Sequence, residues 1–258
     1  GDKFLKPGPG FGGSCFKKDI LNLVYLCKYY GLPEVADYWE QIVKINSWQQ
    51  ERISSIVIKN LFGTLTSKKL AVLGFSFKAN TNDTRESPSI AISKNLFKEG
   101  SELNFYDPKV NKDDILKEFQ IKENGEKINV CETALIAAKG TDAIIILTEW
   151  EQFNNLDWEK IFQVMRKPAW VFDSRNYLDI NYLRNIGFKI WNNVKTLDRA
   201  LNKNYEDANL RKLMESSKYK FIVIDQYTKK AASLINLANV LNFKVLQFGS
   251  LKLIDKTP

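Results

Sequence analysis

From Lys68 onward the chain alternates short apolar runs with amphipathic ones, and no other feature constrains its fold as strongly. The runs KKLAVLGF, ELNFYDP, KINVC, DAIIILT, AWVFD and FKIWN each read as a buried strand. Between them ESPSIAISKNLFKEG is a helix with Ser87 as N-cap, Pro88 at the first helical position and Gly100 closing it. Further helical segments are expected near Asp113–Phe119, over Glu132–Lys139 and near Ile180–Ile186. Strands separated by helices cannot pair as hairpins, so the pattern predicts an α/β fold with a doubly wound, mostly parallel sheet. Residues 199–258 read differently. A polar stretch leads into strand FIVID, helix KKAASLINLANVLNF and strand KVLQFG, a unit that either extends the sheet or forms an appendix. No chemistry is legible in it.

Upstream of the sheet two helices are expected. Phe16–Tyr30 carries Ile20, Leu23, Val24 and Cys27 at helical spacing, with Ser14 as N-cap and Gly31 and Pro33 as the stop. A second helix starts at Pro33 and holds its apolar period through Val35, Tyr38, Trp39, Ile42, Ile45, Ile53, Ile56, Val57 and Leu61, with Gln49 as a polar interruption. At 1.5 Å per residue, its ~30 residues span roughly 45 Å. A helix so long and broadly apolar needs neighbours on more than one side, as a link between domains or the spine of a dimer. Three regions follow: 1–66 with a glycine loop and two helices, 67–198 with the sheet, and 199–258 as an extension of unknown role.

Composition removes several chemistries. The chain has no histidine, which excludes Ser-His-Asp and Cys-His catalysis and zinc sites of the HExxH type. Its three cysteines, Cys15, Cys27 and Cys131, lack paired spacing and point to a reducing, cytoplasmic setting. No apolar run approaches the ~18 residues that span a bilayer, and no signal peptide opens the chain. The net charge of +8 is spread among 30 acidic residues without a nucleic-acid motif, so a solvated Lys-rich surface is expected rather than a nucleic-acid partner. The only methionines are Met165 and Met214, and the opening GDKFLKPGPG starts inside a motif, so a fragment of a longer protein is expected.

The chemistry concentrates in GPGFGGSCFKKDI. Its glycine density marks backbone that turns tightly or lets a ligand approach, or else a flexible entry loop. Cys15 lies at the first turn of a helix, where unpaired N–H groups and the macrodipole favour negative charge, and Lys17 and Lys18 add to it. These are the surroundings of a nucleophilic cysteine. Asp19 follows four residues later on the same helix face, as a general base or simply a complement to the dipole. Cys27 and Cys131 read as structural.

GFGGSCFKKD resembles the catalytic-cysteine motif of the nucleotide-sugar 6-dehydrogenases, the UDP-glucose/GDP-mannose dehydrogenase family. The likeness continues through LNLVYLCKYYGLPEVADYWEQIVKIN, then KKLAVLGFSFKANTNDTRESPSIAISKNL, FYDPKV, ILTEW and VFDSRN, in family order from Asp2 to Trp191. It implies long central helices followed by a Rossmann-like domain, and a two-step NAD-dependent oxidation of UDP-glucose to UDP-glucuronate in which the cysteine forms a thiohemiacetal and then a thioester. By that resemblance Cys15 is the nucleophile, Asp19 assists water or proton transfer, and Lys18 stands near the nicotinamide. Lys6, Pro7, Gly8, Pro9, Gly10, Phe11 and Gly12 would line the sugar nucleotide, with Phe77, Lys78 and Arg175. Arg85 would reach NAD across a cleft, with Cys15 and Lys18 beside the cofactor. No metal is implied.

The sequence departs from the family at Ser174, where a glycine is common, and at Lys17, where proline or glutamine is usual. The dinucleotide fingerprint and the upstream lysine and asparagine of the family are absent. The resemblance therefore implies an N-terminal NAD-binding domain as partner, in the same or another chain, and inactivity without it. It also implies a homodimer built on the helix from Pro33. The rival readings are a dehydrogenase of a UDP-N-acetylhexosamine or GDP-mannose, and a nucleotide-sugar-binding remnant without turnover.

Overall fold

A computed structural model describes residues 6–121, 123, 125 and 127–193, and the strands 221–225, 244–248 and 251–255. The chain divides into two compact units, Gly1–Asn193 and Val194–Pro258.

The first unit opens with α1 (Phe16–Tyr29) and α2 (Pro33–Asn60). The expected Ser14 cap does not form. The N-cap position falls on Cys15, whose backbone is already helical (φ −99°, ψ −53°) and whose side chain caps nothing. The Ser14 hydroxyl instead lies 3.5 Å from Cys15 Sγ. The two helices share a small core of Ile20, Val24, Cys27 and Ala36. The C-terminal half of α2 is anchored more deeply: Ile53, Val57 and Leu61 enter the core beneath the sheet. Its N-terminal half presents Tyr38, Ile45 and Trp48, each more than half exposed, so the broad apolar period seen in sequence is only partly buried within this chain.

The sheet has six parallel strands: β1 (Lys69–Leu73), β2 (Glu102–Tyr106), β3 (Ile128–Val130), β4 (Ala143–Ile146), β5 (Trp170–Asp173) and β6 (Lys189–Asn192). Their order, β3-β2-β1-β4-β5-β6, is that of a Rossmann sheet. Both faces are covered, which is why the strands read as continuous apolar runs rather than alternating ones. One face carries Leu70, Val72, Leu103, Phe105, Ile145 and Phe172 against α2, α3 (Pro88–Lys98) and α4 (Lys112–Glu118). The other carries Ala71, Leu73, Ile144, Ile146, Val171 and Ile190 against α5 (Ala134–Ala138), α6 (Trp158–Val164) and α7 (Ile180–Ile186). Ser87 caps α3 as expected, its Oγ accepting from the Ser89 N–H at 3.3 Å.

The helix expected over Glu132–Lys139 is shorter, beginning only after Thr133, whose Oγ1 accepts from the Ile136 N–H. Helix α6 was not anticipated, although Asp157 caps it and Trp158, Ile161 and Met165 form its buried stripe. In the second unit β7 (Phe221–Asp225), β8 (Lys244–Phe248) and β9 (Leu251–Asp255) form an antiparallel sheet in the order β7-β9-β8. Of the two arrangements left open for this region, these strands do not extend the six-stranded sheet but pair among themselves. Strand β9 was missed in sequence, and the expected helix over 229–243 lies outside the described residues. Among the described residues no helix is long and apolar enough to cross a membrane.

Candidate active site

In a sheet of this order the strand sequence reverses between β1 and β4, and a crevice opens beyond their carboxyl ends. Three loops leave the sheet there: Gly74–Ser87 after β1, Leu147–Trp150 after β4 and Ser174–Leu178 after β5. Buried acids hold two of them. Asp107 Oδ2 accepts from the Phe75 and Ser76 N–H groups at 2.7 and 3.1 Å. Asp173 accepts from the N–H groups of Arg175, Tyr177 and Leu178 at 2.8–3.0 Å. Burial pushes the Asp173 carboxyl above its ordinary range, and these backbone donors oppose that rise.

The glycine loop packs against this end of the sheet. A Cβ on Gly12 would stand 2.4 Å from the Glu86 carbonyl oxygen, so only glycine allows so close an approach. Gly13 has φ +89°, donates its N–H to Arg85 O at 2.9 Å and faces the Phe77 ring. A Cβ on Gly8 would lie 3.2 Å from Arg175 Nη1. The loop thus brings Phe77, Arg85 and Arg175 alongside the start of α1.

There Cys15 is an exposed free thiol, and the Asp19 N–H donates to Cys15 O at 2.8 Å. Lys18 and Asp19 are exposed on the first turn. Lys17 pairs with Glu86 at 2.8 Å, so its charge is spent on the loop after β1. Phe11 packs edge-on against Phe16 with ring centres 4.6 Å apart. Pro9 is buried, Gly8, Gly10 and Phe11 are half-buried, and Lys6 and Pro7 are exposed.

Two arginines flank the loop in opposite states. Arg175 is nearly buried: Nε donates to Leu147 O at 2.8 Å and lies 3.1 Å from Glu149 Oε2, and Nη2 donates to Phe77 O at 3.2 Å. Desolvation lowers its pKa, while Glu149 and Asp173 pull it back up. Arg85 is open to solvent and forked onto Asp83, at 2.9 Å from Nε and 2.8 Å from Nη2. That fork holds the Asp83 carboxyl below its ordinary value, and Asp83 together with nearby Cys15 raises Arg85. The Lys78 ammonium lies 5.3 Å from the centre of the Phe77 ring.

The turn after β1 offers no dinucleotide cradle. A Cβ on Gly74, its one glycine, would meet Thr148 at 2.5 Å, and Thr148 Oγ1 donates to Ser76 O across the same space. The Arg85 guanidinium has one edge on Asp83 and is largely exposed beside the Cys15 turn. Among the described residues no group of acidic or sulfur side chains could hold a metal. A cleft of about 460 Å³ lined by Lys69, Asn104, Asn129 and Cys131 lies away from the loop.

Sequence reasoning missed the residues that fasten the loop. Asn46, Gln49, Arg52 and Asn193 bond its backbone or each other, and Glu149 faces Arg175. One signal was present, because Gln49 was the polar interruption in the apolar period of α2. Ser174 also has a specific place: its hydroxyl donates to Ile146 O at 2.6 Å, tying β5 to β4 beneath the arginine.

Comparison with known proteins follows the same division of the chain. Residues 1–48 match the family model for the UDP-glucose/GDP-mannose dehydrogenase family, central domain, and residues 71–180 match the family's UDP binding domain. Together they cover more than half of the chain. Among curated proteins it is 43% identical over 213 residues to UDP-glucose 6-dehydrogenase 4 of Arabidopsis thaliana, covering 77% of this chain and 44% of that protein. It is 48% identical over 198 residues to UDP-glucose 6-dehydrogenase of Gallus gallus, covering 74% and 40%. The chain therefore spans less than half the length of these relatives. Of solved structures, a UDP-glucose dehydrogenase from Pyrobaculum islandicum superposes with a TM-score of 0.56 at 26% identity, covering 72% of this chain and 38% of that one.

Proposed function

The chain belongs to the UDP-glucose/GDP-mannose dehydrogenase family, and from that premise we propose that it supplies the cysteine nucleophile and the UDP-sugar-binding domain of an NAD-dependent UDP-glucose 6-dehydrogenase. The observation that carries this reading is the convergence of the Gly8–Gly13 loop, the exposed Cys15 thiol, Phe77, Arg85 and Arg175 at the carboxyl end of the sheet. NAD, which Arg85 would contact and an N-terminal domain would chiefly hold, would supply the oxidising power for both oxidation stages as a hydride acceptor.

This chain's residues do the rest. Arg175, held rigid by Leu147 O, Phe77 O and Glu149, keeps Nη1 facing the loop, where it suits a nucleotide-sugar oxygen. The exposed edge of Arg85 suits a pyrophosphate or ribose oxygen. Cys15 Sγ adds to the C6 aldehyde as a thiohemiacetal, and the later thioester is cleaved by water, which returns the thiolate. Asp19, on the same turn, takes a proton from that water, and Lys18 balances charge at the reaction centre. Lys6, Pro7, Pro9 and Lys78 complete the nucleotide-sugar surface in this reading. The curated relatives at 43% and 48% identity are named for UDP-glucose, which favours glucose over an N-acetylhexosamine or mannose. The exposed N-terminal half of α2 supports a homodimer built on that helix.

The test is NADH production from UDP-glucose by the chain alone and with a family N-terminal domain supplied. Turnover is expected only in the mixture and is lost in Cys15→Ala, which still binds UDP-glucose. Normal turnover by the chain alone would overturn the requirement for a partner. Binding without turnover in either case would overturn the enzyme reading in favour of a binding remnant.

A further inference from the structure

We propose that Asn46, with Gln49 and Arg52 behind it on the same ridge of α2, is a positioning residue that sets where the glycine loop stands relative to Cys15. The proposal rests on the reading of Cys15 as nucleophile, and none of the three residues has a part in that reading.

The Asn46 carboxamide grips both backbone groups of one residue. Its Oδ1 accepts from the Phe11 N–H at 2.8 Å, and its Nδ2 donates to Phe11 O at 3.1 Å. A neighbouring strand satisfies a residue in the same two-bonded way. Only a side chain with a donor and an acceptor side by side can do this, so aspartate and leucine cannot replace it at neutral pH. Gly10 makes the approach possible, because a Cβ there would lie 2.7 Å from Asn46 Oδ1.

One turn on, Gln49 Nε2 donates to Gly8 O at 3.0 Å. Arg52 Nη1 then joins Gln49 Oε1 to Asn193 Oδ1, at 3.3 and 3.2 Å. Asn193 Nδ2 closes the circuit by donating to Gly8 O and to Ser174 O, at 3.0 and 3.2 Å. The spacing of three along α2 puts the side chains on one ridge. The ridge is anchored in the core, since Ile53 and Val57 just beyond it are fully buried. Phe11 passes the position on through its ring contact with Phe16, the residue after Cys15. The loop is thus held between α2 and the segment that carries Arg175, and α2 sets where it stands relative to Cys15.

The experiment uses the chain with an N-terminal domain supplied, comparing Asn46→Leu, Asn46→Asp and the surface control Lys44→Ala. Misplacing a reacting group by about 1 Å costs on the order of 100-fold in rate. Asn46→Leu is therefore expected to lower kcat by about 100-fold, with KM for NAD unchanged and kcat of Lys44→Ala unchanged. Asn46→Asp should recover relative to wild type as pH falls, because the protonated carboxyl regains a donor for Phe11 O while still accepting from the Phe11 N–H. A purely structural role would lower the melting temperature and leave kcat below that temperature intact, and that result would overturn the proposal. If wild type shows no turnover, the functional reading fails separately. The rate of Cys15 alkylation by iodoacetamide, followed by peptide mass, then decides: a change of several-fold in Asn46→Leu supports positioning, and an unchanged rate overturns it. Should Asn46→Leu fail to fold, Gln49→Leu is read in the same way.

Discussion

Gly12→Ala isolates the packing of the loop from everything else. Gly12 is not in the left-handed region, so alanine brings no backbone strain, and its whole effect comes from the added methyl. That methyl would stand 2.4 Å from the Glu86 carbonyl oxygen and 3.0 Å from Pro88 Cδ. Glu86 O is main chain at the cap of α3, and Pro88 is locked in its first turn, so neither can swing aside. The loop must retreat by roughly 1 Å to restore an ordinary contact, an overpacking of about 1–3 kcal/mol. For a domain of this size that lowers Tm by about 2–4 °C per kcal/mol. Gly31→Ala is the counterpart, with φ +71° and open space, so it carries backbone strain and no clash. The assay is thermal unfolding of both variants, with NADH production in the complemented system read beside it. Both should lose stability, but only Gly12→Ala should also lose activity, by about 10-fold or more, because it alone shifts the loop before Cys15. If Gly12→Ala retains both Tm and activity, the loop does not lie on Glu86 and the site geometry argued above is wrong.

Two further outcomes are expected. Because Arg85 depresses the Asp83 pKa, the stabilisation from their fork is present above the ordinary carboxylate value of 3.8 and is lost as pH falls through the lowered one. A carboxyl NMR titration should show Asp83 moving below 3.8 in wild type and back up in Arg85→Gln; identical titrations would remove the fork from solution. Ser174→Gly removes the hydroxyl that donates to Ile146 O at 2.6 Å, and should cost about 0.5–1.5 kcal/mol in denaturant unfolding. No loss there would mean that this departure from the family is neutral.

Much of the fold was legible because its signals are local. The extents of α2 and α7, the Ser87–Pro88 start of α3 and all six parallel strands follow from apolar period, caps and breakers read over a few residues. Misses occurred where a local signal was short or ambiguous. Helix α6 hides in a Trp-rich stretch, the Ser14 cap lost to a chain already helical at Cys15, and β9 follows β8 too closely to stand out as a separate run.

For the site, the sequence by itself determined the chemistry on offer: a thiol at a helix start, no histidine to serve it, a glycine loop before it and motifs in family order behind it. It left the glycines between tight turning, ligand approach and a flexible entry loop. Tertiary structure decided that Gly12 gives its space to Glu86 O and Gly10 to Asn46, that Lys17 answers Glu86, and that a glutamine which broke an apolar stripe reaches Gly8 O. The physical reason is range. Helical period and capping act over one or two turns and leave their mark on neighbouring residues. A hydrogen bond from α2 to the loop joins positions about forty residues apart in sequence and exists only once the backbone has closed that distance.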